Sequence, residues 1–187
     1  MVRVTGGEWK GRGWEAPRSV RVTGAKVRQA LFNILGSLTP GARMVDAFAG
    51  SGAVGIEALS RGASFVAFIE SDDEAAWAIR GALERCSGER LPRRWRIVQR
   101  DADAGLRQLA RDDGPFDIIF CDPPYADEAA KKVLNTVEGC AMLARTGWLI
   151  IEHHRRAVLP SSVGPLRQSG QRRYGGTVLS FYQSGVP

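Results

Sequence analysis

An acidic residue, two prolines and an aromatic residue, Asp122-Pro123-Pro124-Tyr125, directly follow the apolar run 116–121. Such a run predicts a buried strand. Neither proline offers a backbone N–H, so the turn should be stiff, with carbonyl groups that can face a ligand. Because ligands of open α/β sheets bind at the carboxyl ends of the strands, Asp122, Pro123, Pro124 and Tyr125 are candidate catalytic residues. On these residues alone, an ordinary structural turn is an equally good interpretation.

A glycine-rich segment, 50–55, has the pattern G-x-G-x-x-G between a predicted strand and a predicted helix, and Glu70 follows at the interval typical of a ribose-binding acid. The pattern fits a NAD(P) enzyme, a methyltransferase or a tight structural turn. Asp46, in the strand before the loop, favours the methyltransferase, because an acid there would repel the pyrophosphate of a dinucleotide. S-adenosylmethionine instead carries an ammonium and a sulfonium, which a carboxylate attracts. We therefore predict S-adenosylmethionine as the cofactor.

Acidic residues fall at the ends of four successive predicted strands: Asp46, Glu70, Asp101 and Asp122. We expect Glu70 to accept hydrogen bonds from ribose hydroxyls and Asp101-Ala102 to lie at the adenine edge. Asp103, rather than Asp101, is predicted to cap the helix that follows. The predicted cofactor-binding residues are Asp46, Phe48, Ala49, Gly50, Ser51, Gly52, Glu70, Asp101, Ala102 and Asp122.

Segments typical of strands and helices alternate between residues 44 and 152, which predicts an α/β fold with a doubly wound parallel sheet. The strands are predicted at 44–48, 65–70, 95–99, 116–121 and 148–152. Before them, apolar residues recur at helical spacing from Val27 to Leu38, with Thr23 as the N-cap. After them, residues 166–182 predict a closing β-hairpin, so the last strand should be antiparallel.

Positive charge is concentrated in three parts of the sequence. The net charge is +6, yet residues 1–28, 85–100 and 155–174 each carry +5, which leaves −9 for the remainder. This distribution is typical of a protein that binds a polyanion, and most of these charges are arginines, whose guanidinium group matches phosphate bidentately. The alternative is a general arginine bias in solvated loops.

The first basic segment includes residues 2–15, which predict a β-hairpin with turn glycines. Trp9 and Trp14 of this hairpin suit base stacking or packing against the body of the protein. We predict a division into an RNA-facing arm at residues 1–20 and a catalytic domain at 21–187.

Several features exclude other classes of protein. Cys86, Cys121 and Cys140 are too few and too scattered for a disulfide framework or a metal knuckle, which predicts reduced thiols in a cytoplasm. No apolar run is long enough to span a membrane, and the first residues lack a signal peptide, so we predict a cytoplasmic protein without a membrane partner. His153 and His154 have no metal-ligand partner or nucleophile at suitable spacing, and no metal site is predicted.

Five segments together resemble the RsmD-type bacterial methyltransferases, which modify the N2 amino group of guanine in 16S ribosomal RNA. These segments are Gly7-Glu8-Trp9-Lys10-Gly11-Arg12, Val27-Arg28-Gln29-Ala30-Leu31-Phe32-Asn33-Ile34-Leu35, Asp46-Ala47-Phe48-Ala49-Gly50-Ser51-Gly52, Glu57-Ala58-Leu59-Ser60-Arg61-Gly62-Ala63 and Asp122-Pro123-Pro124-Tyr125. The glycine loop and the Asp-Pro-Pro-Tyr motif are shared by many amino-directed methyltransferases, whereas the first two segments are the ones that indicate this family. The sequence departs from the family at Val22, where a proline is usual.

The resemblance implies a Rossmann-like class I methyltransferase fold: a seven-stranded, mostly parallel sheet with an antiparallel last strand, plus a small N-terminal β-hairpin. It implies methylation of a guanine of the guanine-966 type in 16S rRNA, within a 30S subunit or an assembly intermediate, by a monomer. Asp122 and the Pro123 carbonyl would accept the N–H bonds of the amino group, and Tyr125 would stack on the base. The residues predicted to contact RNA are Arg3, Lys10, Arg12, Arg21, Arg28, Arg172 and Arg173.

Other functions stay open. An adenine-N6 DNA methyltransferase would use the same Asp-Pro-Pro-Tyr chemistry, although so short a chain has no separate DNA-recognition domain. A non-catalytic RNA-binding protein would have no need for the strand-end acids. Asp46 and Asp122 disfavour a NAD(P) oxidoreductase.

Overall fold

The structure of the protein is a computed structural model. It describes residues 1–20, 22–87, 94–123 and 126–185, and only the backbone of residues 126 and 127. Three predicted site residues, Arg21, Pro124 and Tyr125, lie outside the described residues.

Five α-helices and ten strands make up the described part of the chain. The helices are α1 (Ala25–Leu35), α2 (Ala53–Ser60), α3 (Asp73–Ser87), α4 (Ala102–Asp112) and α5 (Ala126–Gly139), and a 3-10 turn, Gly36–Leu38, extends α1. The strands are β1 (Val2–Arg3), β2 (Gly13–Trp14), β3 (Arg43–Ala47), β4 (Phe65–Ile69), β5 (Trp95–Val98), β6 (Phe116–Cys121), β7 (Leu143–His154), β8 (Ser162–Val163), β9 (Leu166–Tyr174) and β10 (Thr177–Ser184).

The central sheet has the strand order β5-β4-β3-β6-β7-β10-β9-β8. Strands β3 to β7 are parallel, and β10 is antiparallel to both of its neighbours, β7 and β9. The predicted fold class is therefore confirmed. The sheet has one strand more than the predicted seven, because the two-residue strand β8 folds back onto the start of β9 through a turn in which Gly164 has a φ of 53°.

The strand order reverses between β3 and β6, and this position determines where a ligand can bind. The chain crosses from β3 to β4 on one side and later returns to place β6 on the other. In open α/β sheets the crevice above such a switch point, at the carboxyl ends of the strands, binds the ligand. Asp46, in β3, lies opposite Phe120, in β6, so the two candidate motifs meet at this point.

Helices cover both faces of the sheet. Alternate side chains of each strand point to opposite faces; Met44 belongs to one hydrophobic cluster and Val45 to the other. The first cluster includes side chains from α1, α2 and α3, such as Leu31, Ile56 and Ile79. The second includes Leu106 of α4 and Val133 of α5. Burial on both faces explains why the strands read as continuous apolar runs.

Helix α1 differs from its prediction in its start and in its buried face. Gly24, not Thr23, is the N-cap, without a side-chain cap hydrogen bond. The buried residues are Arg28, Leu31, Phe32 and Leu35, whereas Ile34 and Leu38, at 37% and 46% exposure, face solvent. The helix is rotated because the Arg28 side chain points inward: its Nε lies 3.4 Å from an oxygen of the fully buried Glu57 in α2.

The N-terminal hairpin is held against α2 by buried polar contacts. The backbone N–H and the hydroxyl of Thr5 both donate to the Glu57 carboxylate at 2.8 Å. The Trp9 N–H donates to the hydroxyl of Ser60, which in turn donates to the Gly6 carbonyl. A side chain on Gly7 would overlap the Ser60 carbonyl, with its Cβ 2.0 Å from the oxygen. The hairpin therefore fits closely along the helix.

Both hairpin tryptophans lie in the core. Trp9 and Trp14 are 2% and 3% exposed and belong to the same hydrophobic cluster as α1 and α2. Of the two interpretations that the sequence left open, packing against the body of the protein is therefore confirmed, and base stacking is not. Among the described residues, no helix combines the length and the apolar composition needed to cross a membrane.

Candidate active site

A cavity of about 410 Å³ lies at the carboxyl ends of strands β3, β4, β5 and β6. Its walls are formed by Val20, Thr23, Asp46, Phe48, Ala49, Gly50, Ile69, Glu70, Ser71, Arg100, Asp101, Ala102, Phe120 and Asp122. Eight of the ten predicted cofactor-binding residues are among them. The other two, Ser51 and Gly52, are buried and do not line the cavity, and their contact with the cofactor stays a prediction.

The glycine loop after β3 has a backbone that few other sequences can adopt. Phe48, Gly50 and Gly52 have φ values of 69°, 53° and 72°, and a non-glycine residue such as Phe48 is uncommon in this region. The Ala49 N–H donates to the Ile69 carbonyl at 2.9 Å, and the Gly52 N–H donates to the Ala49 carbonyl at 2.7 Å. A Cβ on Gly52 would lie 2.9 Å from Ile79. The absence of a side chain at Gly52 therefore allows the loop to pack closely against Ile79 of α3.

Asp46 is a buried carboxylate between the loop and helix α2. It is 2% exposed, and its Oδ2 accepts the N–H of Gly55, in the first turn of α2, at 2.8 Å. The pKa of Asp46 is raised to about 7, mainly by burial and also by the nearby charges of Asp122 and Glu70, while the hydrogen bond from the Gly55 N–H lowers it. A cation in the cavity would favour the ionised form.

Glu70 fixes the loop from the neighbouring strand. Its Oε2 accepts the Gly50 N–H at 2.6 Å, and its Oε1 accepts the Asp72 N–H at 2.9 Å. An ionised carboxylate has about four acceptor positions, so each oxygen can accept another hydrogen bond from a ligand in the cavity. Glu70 is thus a rigidly oriented acceptor on the cavity wall.

Asp101 caps helix α4, and the prediction that Asp103 does so is wrong. Asp101 has an extended backbone, and its side chain accepts the Ala104 N–H at 3.0 Å. Asp103 lies further into the helix, where its carboxylate accepts the Thr136 hydroxyl and pairs with Arg107. The hydrogen bond from Thr136 is the main cause of the lowered pKa of Asp103. Capping orients Asp101 and Ala102 at the cavity rim.

Asp122 completes the site from the end of β6. It lines the cavity beside Phe120, is half-buried, and is close enough to Asp46 for its charge to raise the pKa of that residue. Pro123 is buried next to it. The acids from β3, β4 and β6 therefore share one cavity.

The sequence and the fold both match known proteins. The family described as "Conserved hypothetical protein 95" matches residues 2–183. The Bacillus subtilis protein YlbH is 35% identical over 184 residues, which cover 97% of this chain and 98% of YlbH. Ribosomal RNA small subunit methyltransferase D of Escherichia coli is 33% identical over 163 residues, which cover 86% of this chain and 79% of that protein. This chain belongs to the RsmD family. The solved structure of yhhF from Escherichia coli has a TM-score of 0.85 at 29% identity and covers 100% of this chain and 99% of that chain.

The residues that the RsmD resemblance assigned to RNA binding lie in different environments. Arg3 and Lys10 are exposed on the hairpin, as is Arg12, whose guanidinium also donates to the Cys86 carbonyl. Arg28 is 2% exposed and donates to the carbonyls of Thr23 and Arg3, as well as to Glu57. The predicted RNA contact of Arg28 is therefore wrong, because the side chain links the hairpin to α2 and has no free surface.

Arg172 and Arg173 lie on β9 and are exposed. Arg172 is opposite Leu179 of β10, which is opposite Glu152 of β7. Glu152 directly follows Ile151, the partner of Cys121 in β6, so Arg172 is level with Asp122. Three strand spacings separate β6 from β9, or roughly 14 Å. These arginines therefore lie at the same sheet edge as the cavity.

Six residues of the cavity were not predicted from the sequence: Val20, Thr23, Ile69, Ser71, Arg100 and Phe120. Four of them are direct or near neighbours of the strand-end acids in the sequence, and this proximity could have predicted them: Ile69, Ser71, Arg100 and Phe120. Val20 and Thr23 belong to the segment before α1, which folds back over the cavity, and no local pattern indicates this. The Trp14 indole N–H also acts from behind the loop, donating to the Ser51 carbonyl at 2.9 Å.

Neither His153 nor His154 lines the active-site cavity. His153 lies within β7 and is buried, with its Nε2 2.8 Å from the Ser180 hydroxyl, and His154 is exposed. Among residues 1–20, 22–87, 94–123 and 126–185, no group of three or more His, Cys, Asp or Glu side chains could hold a metal ion.

Proposed function

We propose that this protein transfers a methyl group from S-adenosylmethionine to the N2 amino group of a guanine in 16S rRNA, of the guanine-966 type. The proposal rests on one observation: Asp46, Glu70 and Asp122 line a single cavity at the switch point of the sheet. The name of the Escherichia coli relative supports small-subunit rRNA as the substrate. By the same resemblance, the substrate is in a 30S subunit or an assembly intermediate, and the enzyme acts as a monomer.

The charge of the cavity fits this cofactor. Four acids, Asp46, Glu70, Asp101 and Asp122, and one arginine, Arg100, line it. An excess of negative charge attracts the ammonium and sulfonium groups of S-adenosylmethionine and repels a pyrophosphate. The same excess argues against a NAD(P) enzyme.

Individual residues have distinct roles in holding the cofactor. Asp46 is the partner for a cationic group, since binding a cation offsets the penalty of ionising a buried carboxylate. Glu70 accepts the ribose hydroxyls, and Asp101-Ala102 lies at the adenine edge, next to the apolar wall formed by Phe48 and Ile69. The bound cofactor supplies an electrophilic methyl group.

The substrate amino group must be oriented before it can react, because its lone pair is delocalised into the guanine ring. Asp122 and the Pro123 carbonyl accept its two N–H bonds, which directs the lone pair toward the methyl carbon and stabilises the positive charge that develops on nitrogen. The N–C bond forms as the C–S bond breaks, and one N–H proton then leaves to water. Alignment of this kind contributes up to about 7–11 kcal/mol in favourable cases. In this proposal Tyr125 stacks on the base.

The basic surface accounts for the choice of RNA. Arg172 and Arg173 lie at the sheet edge that carries Asp122, and Arg155 and Arg156 follow β7 at the same edge. Guanidinium groups there can hold the phosphates that flank a base splayed into the cavity.

The test is to incubate the protein with tritiated S-adenosylmethionine and 16S rRNA, 30S subunits or duplex DNA, and to identify the labelled nucleoside. We expect N2-methylguanosine at one position of the rRNA. N6-methyladenine in DNA would support the adenine-directed alternative, and cofactor binding without label in any substrate would support a non-catalytic RNA-binding protein.

A further inference from the structure

A second groove, of about 440 Å³, runs along helix α4 and opens beside the candidate active site. It is lined by Arg100, Ala104, Arg107, Gln108, Arg111 and Asp112, and we call it the arginine groove. Arg100 also lines the active-site cavity. Arg100 therefore borders both the groove and the cavity.

Two of the arginines of the groove, Arg107 and Arg111, share one side of α4, and Arg100 lies just before the N-cap, Asp101. Arg107, Gln108 and Arg111 follow Ala104 at intervals of 3, 4 and 7 residues, the spacing of a single helical face. With a rise of 1.5 Å per residue, the stripe from Ala104 to Arg111 extends roughly 10 Å, and Arg100 lies beyond its amino end. Its length suits an extended polyanion, not a single phosphate group.

The groove keeps a positive charge because its acid is already paired. The Asp112 Oδ2 lies 3.0 Å from Nη2 of Arg96, outside the groove, and this hydrogen bond is the main cause of the lowered pKa of Asp112. Arg107 contacts Asp103 through Nε at 3.3 Å, which leaves its two Nη groups for another partner. Within the described ranges, neither Arg100 nor Arg111 has a carboxylate oxygen within 4 Å.

We propose that the arginine groove binds the phosphodiester backbone of the substrate RNA, on the side of the cavity away from Arg172 and Arg173. This inference rests on the proposed function, since it extends the path of the RNA from the target base onto α4. Arg107 and Arg111 lie outside the three basic segments of the sequence, in the part with a net negative charge. The charge distribution along the sequence therefore does not indicate this basic groove, which forms only when α4 folds.

The groove can be tested with a double variant, Arg107→Gln/Arg111→Gln. A matched control is Arg145→Gln/Arg167→Gln, which removes the same charge from two exposed arginines near the amino ends of β7 and β9, away from the groove. Filter binding to a 16S rRNA fragment is measured at several salt concentrations, and binding of S-adenosylmethionine is measured by calorimetry. Circular dichroism establishes that each variant is folded.

We expect the groove variant to bind RNA about tenfold more weakly than the control, with a log–log salt slope smaller by about 1.4 for single-stranded contacts. Its affinity for S-adenosylmethionine should match that of the wild type. If the groove variant and the control bind RNA with the same affinity and slope, the proposal is overturned. If the double variant does not fold, Arg111→Gln decides in the same way: a smaller slope supports the groove, and an unchanged slope refutes it. If the wild-type protein neither binds nor methylates RNA, the proposed function itself has failed, and the groove proposal falls with it.

Discussion

Replacing Asp46 with asparagine should stabilise the cofactor-free protein while weakening its hold on the cofactor. The asparagine side chain would keep the shape of the original and an oxygen that accepts the Gly55 N–H, the hydrogen bond that Asp46 makes at 2.8 Å. What the substitution removes is the cost of a buried charge. Burial raises the pKa of Asp46 from 3.8 to about 7, so the wild-type fold favours the protonated acid.

The sign and size of the effect follow from this pKa. A carboxyl group whose pKa is raised by folding stabilises the folded state at pH values below its pKa in the unfolded chain. This contribution to stability is lost as the pH rises through its pKa in the folded protein. With a pKa of 3.8 in the unfolded chain and about 7 in the folded protein, the unfolding free energy of the wild type falls as the pH rises. Relative to low pH, the fall is roughly 2 kcal/mol at pH 5 and roughly 4 kcal/mol at pH 8, at about 1.4 kcal/mol per pKa unit. The stability advantage of Asp46→Asn should therefore grow by about 2–3 kcal/mol between these two pH values.

Urea denaturation of both proteins at pH 5 and pH 8, without cofactor, measures this difference, because the other titrating groups are common to both. Calorimetry at pH 8 should show weaker binding of S-adenosylmethionine by the variant. Asp117→Asn is the matched control for binding, because Asp117 also accepts a backbone N–H, from Arg43 at 2.8 Å, but lies outside the active-site cavity. A stability difference that stays constant from pH 5 to pH 8 would refute the assignment of Asp46 as a buried, charge-strained acid.

Three further predictions concern the cavity and the hairpin. The affinity of the wild type for S-adenosylmethionine should rise between pH 6 and pH 8, as Asp46 ionises with a pKa of about 7, and calorimetry in buffers of different ionisation enthalpy should detect proton release; a flat pH profile would contradict it. Trp14→Phe removes the donor to the Ser51 carbonyl; it should lower the unfolding free energy by about 1–3 kcal/mol and also lower the affinity for S-adenosylmethionine. The control Trp77→Phe, at a residue that is 76% exposed, should change neither quantity. Glu57→Gln leaves the buried Arg28 without its carboxylate and should lower the unfolding free energy, measured by urea denaturation, by about 3–5 kcal/mol. A decrease of less than about 1 kcal/mol, the range of an exposed ion pair, would show that the Glu57 carboxylate does not anchor the hairpin.

The sheet and most of the cavity were predictable because their signals are local. Strands buried on both faces read as apolar runs, as in 116–121, and helices alternate with them. In such a fold the strand order places the carboxyl ends of the central strands together. The positions of Asp46, Glu70 and Asp122 in the sequence were therefore sufficient to bring them to one site.

The remaining features depend on tertiary contacts that no local pattern encodes. Arg28 looks like a surface arginine on an amphipathic helix, yet Glu57, 29 residues away, draws it inward and rotates the helix. Trp14 looks like a stacking platform, but its partner is a carbonyl 37 residues away. In each case a buried polar group finds its hydrogen-bond partner across the fold, and sequence periodicity carries no record of that partner.

The central claim is that Asp122 orients the amino group of the substrate guanine. Single-turnover methylation of 16S rRNA by the wild type and by Asp122→Ala, with calorimetry of S-adenosylmethionine binding to both, tests it most directly. We expect the rate of N2-methylguanosine formation to fall by at least about 100-fold, as when one transition-state acceptor or donor is removed, while the cofactor still binds. A variant that binds the cofactor and transfers methyl groups at the wild-type rate would contradict this role of Asp122.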